Sequence, residues 1–322
     1  MKIAIIGAGL SGLTLANKLK NKHNVCLFEK SRGVSGRIAT KTIANYTFDM
    51  GAPFIETTNT ELLEEIEKSI SHNSLAKWTM QHNHYKSANQ LIRQTKKTVF
   101  IGIPKMTAWC RNMANFNQIA LSTQITTLKR QENSWYLISA QGDSFGPFDW
   151  VISTTPAEQA SQIMPNCNFS HFLESRKAQP AYMLLLAIEQ SLPPEYDFAT
   201  YDQGPIESIC CNHNKPQRNH KKIQLVIKCN KEISHEHTLH LNDALTTQKI
   251  LDQLTQLMSI ELQNITIQNT HLWRYATYHS TKETHLIDDA MKLAACGDYC
   301  SSANIEGAYI SACKLAKIIN NE

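Results

Sequence analysis

Residues 2–12 have the sequence KIAIIGAGLSG, in which a short apolar run leads into the pattern G-x-G-x-x-G. Gly7 permits a tight turn after a strand, Gly9 lets the backbone approach a pyrophosphate, and Gly12 allows a helix to pack closely on the strand. The N-terminus of such a helix offers free N–H groups and a partial positive charge to phosphates. The stretch therefore predicts a strand, a phosphate-binding turn and a helix, which begin a dinucleotide-binding βαβ unit of the Rossmann type.

An acidic residue follows the second predicted strand. Val25 to Glu29 forms that strand, and Glu29 stands at its end. A carboxylate in this place can accept hydrogen bonds from both hydroxyls of an adenosine ribose, and it would repel a 2′-phosphate. Strand, helix and acid together distinguish the motif from a chance glycine turn.

Composition and charge exclude several classes of protein. The chain has 322 residues, a net charge of +4 and 42% hydrophobic residues, enough for one large domain or two moderate ones. Mild, scattered charge argues against nucleic acid as the main partner. Ile3 to Ala16 imitates a signal peptide, but a strand, a turn and a helix explain its glycines. The next apolar run, Ala181 to Ile188, is too short to span a membrane, so we expect no membrane partner.

The nine cysteines, an odd number, include no C-x-x-C pair. Several lie in apolar stretches, where thiols behave as small core residues. Reduced cysteines predict a cytoplasmic location. Cys210 and Cys211 are adjacent at a predicted strand end, and we interpret them as packed thiols, with redox chemistry as the alternative.

Three later glycine-containing segments favour FAD over NAD as the bound dinucleotide. Ser35-Gly36-Arg37, with Arg32 nearby, places cations beside the phosphate loop, although a solvated basic loop is the alternative interpretation. Met50-Gly51-Ala52 places a glycine where a flat ring could lie against backbone. Gly297-Asp298 could hold a ribityl chain. A helix that begins near Asn304 could direct its positive end at the flavin pyrimidine and stabilise the reduced ring.

The two ends of the chain are predicted to share one domain. A nucleotide-binding beginning and a Gly-Asp-helix ending imply that the chain between them contains an inserted domain. We expect a nucleotide-binding domain of residues 1–57, 99–160 and 291–322, and a substrate domain of residues 58–98 and 161–290.

These motifs resemble the flavin amine oxidase superfamily, and within it the renalase group, especially its bacterial members. The resemblance runs nearly end to end. Many flavoproteins share the N-terminal motif, so the combination with the C-terminal blocks is the specific part. The matching blocks are Leu27 to Gly33, Asp49 to Ala52, Phe100 to Met106, Pro180 to Glu189, Asn214-Lys215-Pro216, Trp273 to Ala276, Gly297 to Cys300 and Ile305 to Ala308.

The resemblance implies an α/β protein in which a Rossmann-type FAD-binding domain carries an inserted α+β substrate domain, as in para-hydroxybenzoate hydroxylase and the amine oxidases. It implies non-covalent FAD and the oxidation of 2- or 6-dihydro-NAD(P), isomers that carry the hydride at the wrong ring carbon. Hydride would pass to flavin N5, and O2 would then give hydrogen peroxide, with release of NAD(P)+. A dihydropyridine becomes aromatic when it loses hydride, so the reaction needs positioned rings rather than a side-chain base.

The motif and the matching blocks together predict the site residues. We expect FAD contacts from Gly7, Ala8, Gly9, Ser11, Gly12, Glu29, Lys30, Arg32, Gly36, Arg37, Met50, Gly51, Ala52, Ile125, Gly297, Asp298, Ile305, Glu306 and Ala308. The candidates for the substrate pocket are Phe54, Trp273, Arg274 and Tyr275. The family continues after Ala52 with Gln-Tyr where this chain has Pro53-Phe54, which leaves the substrate preference open.

Some of these residues have a second interpretation. Trp273 could stack on a nicotinamide and Arg274 could bind its phosphates, or both belong to a strand with alternate faces buried. His235, His237 and His240 lie in no stiff frame, so we interpret them as a solvated turn and expect no metal site.

Three alternatives to the dihydronicotinamide oxidase are considered. A flavin amine oxidase would need an aromatic cage, which Trp273, Tyr275, Tyr278 or Tyr299 could supply. A non-catalytic FAD-binding protein would bind FAD without being rapidly reduced. An NAD-dependent dehydrogenase is disfavoured by the Gly-Asp-helix ending. The expected partners are a small dinucleotide and O2, and the sequence leaves the oligomeric state open.

Overall fold

The computed structural model describes residues 1–87, 90–115, 118–189, 196–219, 222–238, 243–258 and 261–321. Its strands are β1 (Lys2–Ile6), β2 (Asn24–Phe28), β3 (Lys41–Ile43), β4 (Tyr46–Phe48), β5 (Leu75–Ser87), β6 (Gln90–Gly102), β7 (Gln118–Ala120), β8 (Ile125–Gln131), β9 (Ser134–Ser139), β10 (Ser144–Phe148), β11 (Trp150–Ser153), β12 (Gln179–Ile188), β13 (Phe198–Tyr201), β14 (Ile206–Cys211), β15 (Ile223–Cys229), β16 (Ile265–Thr277), β17 (Leu286–Asp288) and β18 (Leu293–Ala295). Its α-helices are α1 (Leu10–Leu19), α2 (Thr60–Ser71), α3 (Thr107–Ala114), α4 (Ala157–Ile163), α5 (Ser170–Ser175), α6 (Lys231–Thr238), α7 (Asp243–Met258) and α8 (Ile305–Ile319).

The first sheet has six strands within the described ranges, in the order β17-β18-β11-β1-β2-β7. β1 pairs in parallel with β11 on one side and with β2 on the other. Both faces of β1 are covered, so Ile3, Ala4, Ile5 and Ile6 are all buried, which explains its continuous apolar run. α1 follows β1 directly and packs against α8. The predicted Rossmann-type beginning is confirmed.

The second sheet has the order β16-β12-β15-β14-β13-β5-β6 and is antiparallel apart from the β13–β5 pair. Side chains of β12 alternate between two cores. Ala181 and Met183 face the core that this sheet shares with the first sheet, whereas Tyr182 and Leu184 face a second core that α6 and α7 cover. The predicted architecture, a Rossmann-type domain joined to a mixed α+β region, is confirmed.

Two strands lie on the other side of the predicted domain boundaries. All of β6 belongs to the second sheet, although the sequence analysis assigns residues from 99 onward to the nucleotide-binding domain. β17 lies in the first sheet, although that domain is predicted to resume only at residue 291. The predicted boundary at residue 99 is based on the apolar run that begins at Val99. The earlier half of β6 is exposed and, apart from Leu91 and Ile92, polar, so it has no alternation of apolar residues that would predict its pairing with β5.

Among the described helices, none is both long and apolar enough to cross a bilayer.

All nine cysteines lie within the described residues as free thiols. Cys210 and Cys211 belong to opposite faces of β14, since the first lies in the shared core and the second in the core beneath α6 and α7. Burial raises the pKa of both thiols. Packed thiols therefore describe this adjacent pair better than a redox pair.

Candidate dinucleotide-binding site

Close packing shapes the glycine turn between β1 and α1 at two of its glycines. Gly7 has a φ of +105°, which favours glycine over any other residue. A Cβ added to Gly12 would lie 2.0 Å from the Gly7 carbonyl oxygen. These two glycines therefore have the roles that the motif predicts, a tight turn and close helix packing.

Gly9 borders open space instead of packed chain. A Cβ added to Gly9 would have the Gly36 Cα as its nearest neighbour, at 3.9 Å. Gly9 is also the N-cap residue of α1, and it has no side chain that could occupy the N–H groups of the first helical turn. Gly36, with a φ of +52°, brings a second bare backbone segment to the same place. We call this pair of glycines the backbone cradle, and a phosphate group fits it.

Glu29 fixes the cradle from the end of β2. The residue is 8% exposed. Its Oε2 accepts a hydrogen bond from the Ala8 N–H at 2.9 Å, and its Oε1 accepts one from the Ser31 N–H at 2.8 Å. A carboxylate has about four acceptor positions, so others remain for ribose hydroxyls. Glu29 lies where the ribose contact is predicted, and it also holds the turn in shape.

Two residues predicted to contact different parts of the cofactor form an ion pair with each other. Arg37 donates to both carboxylate oxygens of Asp298, at 2.8 and 2.5 Å, and to the Ala276 carbonyl oxygen at 2.9 Å. The Arg37 charge is balanced by Asp298, so Arg37 attracts a phosphate less strongly than a free cation would. Lys30 and Arg32, the other predicted cations, are exposed.

The N-terminus of α8 lies beside the beginning of α1. The Ser11 hydroxyl donates to the Ala308 carbonyl oxygen at 3.0 Å. Asn304 caps the helix, because its Oδ1 accepts a hydrogen bond from the Gly307 N–H at 2.8 Å. Glu306 accepts a hydrogen bond from the Thr57 hydroxyl. The first turn of α8 is therefore held from both sides.

A layer of half-buried apolar side chains is contributed by the segment after β4, by β13 and β16, and by the first turn of α8. Its members all pack against the shared core, and we call them the interdomain layer: Met50, Ala52, Phe54, Phe198, Trp273, Ala276, Ile305 and Ala308. Phe54 meets Phe198 edge to face, with ring centroids 5.1 Å apart. The Trp273 Nε1–H donates to the Met50 carbonyl oxygen at 2.9 Å. Six of the predicted site residues belong to this layer: Met50, Ala52, Phe54, Trp273, Ile305 and Ala308.

Gly51 has another role than the one predicted. A Cβ added there would lie 2.0 Å from the Arg37 carbonyl oxygen and 2.8 Å from the Ala39 nitrogen. The glycine is therefore needed where two chain segments pack together, and its contact with a flat ring stays a prediction. Gly297 is similar, because a Cβ there would lie 2.7 Å from the Tyr299 ring.

The neighbours Trp273 and Arg274 differ in burial. Trp273 belongs to the interdomain layer, whereas Arg274 is exposed. The pairing of β16 with β12 is irregular between Trp273 and Thr277, so strand alternation does not fix the face of Arg274. The phosphate contact of Arg274 stays a prediction. Tyr275 is half-buried.

Sequence reasoning missed a buried charge cluster formed by Asp49, Lys215 and Arg218. Asp49 Oδ2 lies 3.0 Å from Lys215 Nζ and 2.7 Å from Arg218 Nη2, and all three side chains have 0% exposure. Burial by itself raises the pKa of Asp49, but Lys215 and Arg218 lower it far below its usual range. Lys215 stands in one of the matching blocks, yet nothing in the sequence shows that it meets Asp49.

The other predicted residues lie apart from the layer. Ile125 is buried in a core with Phe28 at the beginning of β8. His235 is exposed, His237 stacks on Tyr182 at 3.8 Å, and His240 lies outside the described residues. In the part of the chain that the structure describes, no three His, Cys, Asp or Glu side chains form a group that could hold a metal.

The glycine turn, the parallel sheet and Glu29 define a dinucleotide-binding protein of the Rossmann class. The family described as "NAD(P)-binding Rossmann-like domain" matches residues 5–67. The 4,4′-diapophytoene desaturases of several Staphylococcus aureus strains are 43% identical over 56 residues, which are 17% of this chain. The match spans only 11% of the length of these desaturases.

Solved structures share the whole fold. A protein from Exiguobacterium sp. 255-15 assigned as a protoporphyrinogen oxidase has a TM-score of 0.79 at 12% identity, covering 99% of this chain and 98% of its own. Putrescine oxidase bound to putrescine has a TM-score of 0.79 at 14% identity, covering 100% of both chains. The chain thus combines a Rossmann-type dinucleotide-binding domain with an overall fold that it shares with putrescine oxidase and with the Exiguobacterium protein.

Proposed function

We propose that the chain binds FAD non-covalently and oxidises 2- or 6-dihydro-NAD(P), with O2 as the electron acceptor and NAD(P)+ and hydrogen peroxide as products. The observation that carries this proposal is the interdomain layer, which combines apolar side chains of the second sheet with those of the segment after β4 and of the first turn of α8. The Ser11–Ala308 hydrogen bond connects that turn of α8 to the helix that begins at the cradle. Two flat heteroaromatic rings suit such a layer, and the cradle suits a pyrophosphate.

The residues around the cradle fit FAD. A Cβ at Gly9 would occupy the space beside Gly36, where the pyrophosphate would lie. Glu29 keeps acceptor positions for the adenosine ribose. The Arg37–Asp298 pair connects the Gly36 turn to Ala276 of the layer, so Asp298 is the residue we assign to the ribityl chain.

Bound FAD would supply a two-electron acceptor for hydride and pass the electrons to O2. The chain's own residues bind, orient and exclude water. Phe54 and Trp273 offer apolar surface that restrains the dihydropyridine ring, and the Met50 carbonyl oxygen fixes the Trp273 indole. Loss of hydride makes the pyridine ring aromatic, so no side chain has to move a proton in this step. Orientation of the two rings then supplies most of the catalysis, and effects of this kind reach about 7–11 kcal/mol.

An amine oxidase would use an aromatic cage, and two of the four candidate rings are poorly placed for one. Tyr299 is 1% exposed and Tyr278 is 6% exposed. The Tyr278 hydroxyl donates to Glu158 at 2.7 Å, so it serves the packing between segments. This burial favours the dinucleotide oxidase over the amine oxidase.

Anaerobic stopped-flow spectroscopy tests the proposal. We expect α-NADH and the isomers made by borohydride reduction of NAD+ to bleach the flavin absorbance rapidly, and peroxide to form after air is admitted. Bleaching by a panel of small amines and not by these isomers would replace the proposal with an amine oxidase. FAD that resists both classes of compound would indicate a non-catalytic flavoprotein.

A further inference from the structure

The face of the second sheet that carries Phe198 continues beyond the interdomain layer into polar residues. The Phe54 ring meets Phe198 at 5.1 Å, and the Phe198 ring lies 5.3 Å from the His82 ring. Trp78 and Met80 belong to the shared core on the same face of β5, and His82 follows them by strand alternation. A ligand seated in the layer therefore has a continuous surface leading outward over this sheet.

Two imidazoles beyond Phe198 are held by one hydroxyl group. The Thr200 Oγ1 lies 3.1 Å from His82 Nε2 and 2.9 Å from His84 Nδ1. The other nitrogen of His84, Nε2, lies 3.3 Å from Asp202 Oδ1. Both rings are half-buried and fixed in place. The two imidazoles are therefore ordered polar groups that lie next to the Phe54–Phe198 pair, which we call the aromatic path.

Cations from β6 stand beside these imidazoles. Arg93 pairs across the strands with His84, and Lys97 pairs with Met80. Residues directly opposite each other in an antiparallel pair share a face, so Arg93 and Lys97 are on the face of His82. We call His82, His84, Arg93, Lys97 and Thr200 the sheet patch.

The sheet patch contains two cations, Arg93 and Lys97, and the carboxylates of Asp202 and Glu56 lie beside it. Burial lowers the pKa of His82, and Lys97, His84 and Arg93 lower it further, whereas the Glu56 carboxylate raises it. Glu56 is already paired with Lys97 at 3.2 Å. Arg93 contributes a guanidinium group whose planar donors match phosphate oxygens.

We propose that the sheet patch binds the phosphates of the dinucleotide substrate, on the side remote from its nicotinamide ring. The inference rests on the proposed function. A dinucleotide whose nicotinamide ring lies in the interdomain layer has to carry its pyrophosphate and second nucleoside out of the layer. The aromatic path from Phe54 to Phe198 leads from that layer to the imidazoles and to Arg93. In this proposal, residues of the second sheet make the enzyme prefer a dinucleotide to a simple dihydropyridine.

The test compares a dinucleotide with a substrate that lacks phosphate. We measure steady-state oxidation of 6-dihydro-NAD and of N-methyl-1,6-dihydronicotinamide by the FAD-loaded wild type, by Arg93→Gln and by the double variant His84→Gln/Arg93→Gln. We expect the double variant to raise KM for 6-dihydro-NAD at least tenfold, with kcat unchanged and with KM for the phosphate-free compound unchanged. Binding of NAD+ and of inorganic pyrophosphate, measured by calorimetry without turnover, should weaken at least tenfold as well.

A matched control lies on the same strand. Lys96→Gln also removes one exposed positive charge from β6, but Lys96 faces away from the patch by strand alternation, so it should change none of these constants. Equal changes in KM for both substrates would overturn the assignment of the patch, while the proposed function stands. The same holds if Lys96→Gln weakens dinucleotide binding as much as Arg93→Gln does. A wild type whose flavin neither compound reduces would overturn the proposed function, and the patch with it.

Discussion

Gly9 and Gly36 leave the cradle bare, whereas Gly7 and Gly12 serve the packing of the same turn. Replacing different glycines of this motif should therefore impair different properties, either folding or cofactor binding. A side chain at Gly12 would collide with the Gly7 carbonyl group and disturb the fold. A side chain at Gly9 would leave the fold intact and occupy the space assigned to phosphate.

We predict that Gly9→Val abolishes FAD binding and leaves the far-ultraviolet circular dichroism spectrum unchanged. The measurement is the ratio of flavin to protein absorbance after purification and after incubation with excess FAD. Gly33→Val is the matched control, because an added Cβ at Gly33 meets nothing within 4 Å, so it should keep its FAD. Full flavin occupancy in Gly9→Val would refute the assignment of the cradle.

Among the elements, α8 brings a capped N-terminus to the interdomain layer, where Ile305 and Ala308 belong to its first turn. A second helix, α2, has the same kind of cap, since Asn59 Oδ1 accepts a hydrogen bond from the Leu62 N–H at 2.9 Å. The two asparagine caps form a natural pair for comparison, because α2 contributes no residue to the layer.

We predict that Asn304→Ala and Asn59→Ala each lower the free energy of unfolding of the FAD-free chain by about 1 kcal/mol, the usual loss for an N-cap. Only Asn304→Ala should also weaken FAD binding, because it loosens the turn that carries Ile305 and Ala308. Urea unfolding and FAD titration give the two quantities. Equal effects of both variants on FAD affinity would show that α8 has no special place in the site.

The elements nearest the glycine turn could be predicted because their signals are local. Strand, turn and helix follow one another within a few residues, and the spacing of the three glycines can be seen within that one segment. The sequence was insufficient to place the Arg274 side chain, because its position depends on how β16 packs against the rest of the protein. The sequence was also insufficient for the first half of β6, which is exposed and has no alternation of apolar residues.

Contacts between distant residues could not be predicted from the sequence. Asp49 and Arg218 are 169 residues apart, and His82 and Thr200 are 118 residues apart. A single sequence does not record which of its many charged and polar residues meet after folding. The buried charge cluster and the sheet patch therefore became visible only in three dimensions.

Across the whole molecule, polar contacts join the segment after β4 to the second sheet and to the segment that follows β14. The buried charge cluster links the end of β4 to the segment after β14, and Trp273 of β16 is bound to Met50. Two cations share one carboxylate in this cluster, so its charge is positive by one. Asp49 is therefore the member whose loss should cost most.

We predict that Asp49→Asn lowers the free energy of unfolding by about 3–5 kcal/mol, because it leaves two buried cations without a counter-charge. Lys215→Met should cost less, since Asp49 keeps Arg218 and the excess charge disappears. Denaturant unfolding of the FAD-free variants at neutral pH measures both losses. A larger loss for Lys215→Met than for Asp49→Asn would contradict this account of the cluster.

The same cluster predicts a dependence of stability on pH. The pKa of Asp49 is lower in the folded protein than in the unfolded chain, so its stabilisation is complete above the ordinary carboxyl pKa and is lost as pH falls below it. We expect the unfolding free energy of the wild type to fall more steeply than that of Asp49→Asn between about pH 5 and pH 2. Parallel slopes in a series of urea titrations would exclude Asp49 as a cause.

The contact between Ser11 and Ala308 has a consequence for biosynthesis. The two residues are 297 positions apart, so α1 leaves the ribosome long before the helix that packs on it. At about 5–20 residues per second, the delay is about 15–60 s. During that interval the apolar side of α1 lacks its partner α8, and the second sheet receives its last strand, β16, only shortly before α8 is made. The nucleotide-binding half therefore finishes after the half inserted into it, and a chaperone that shields α1 would act on the nascent chain in that interval.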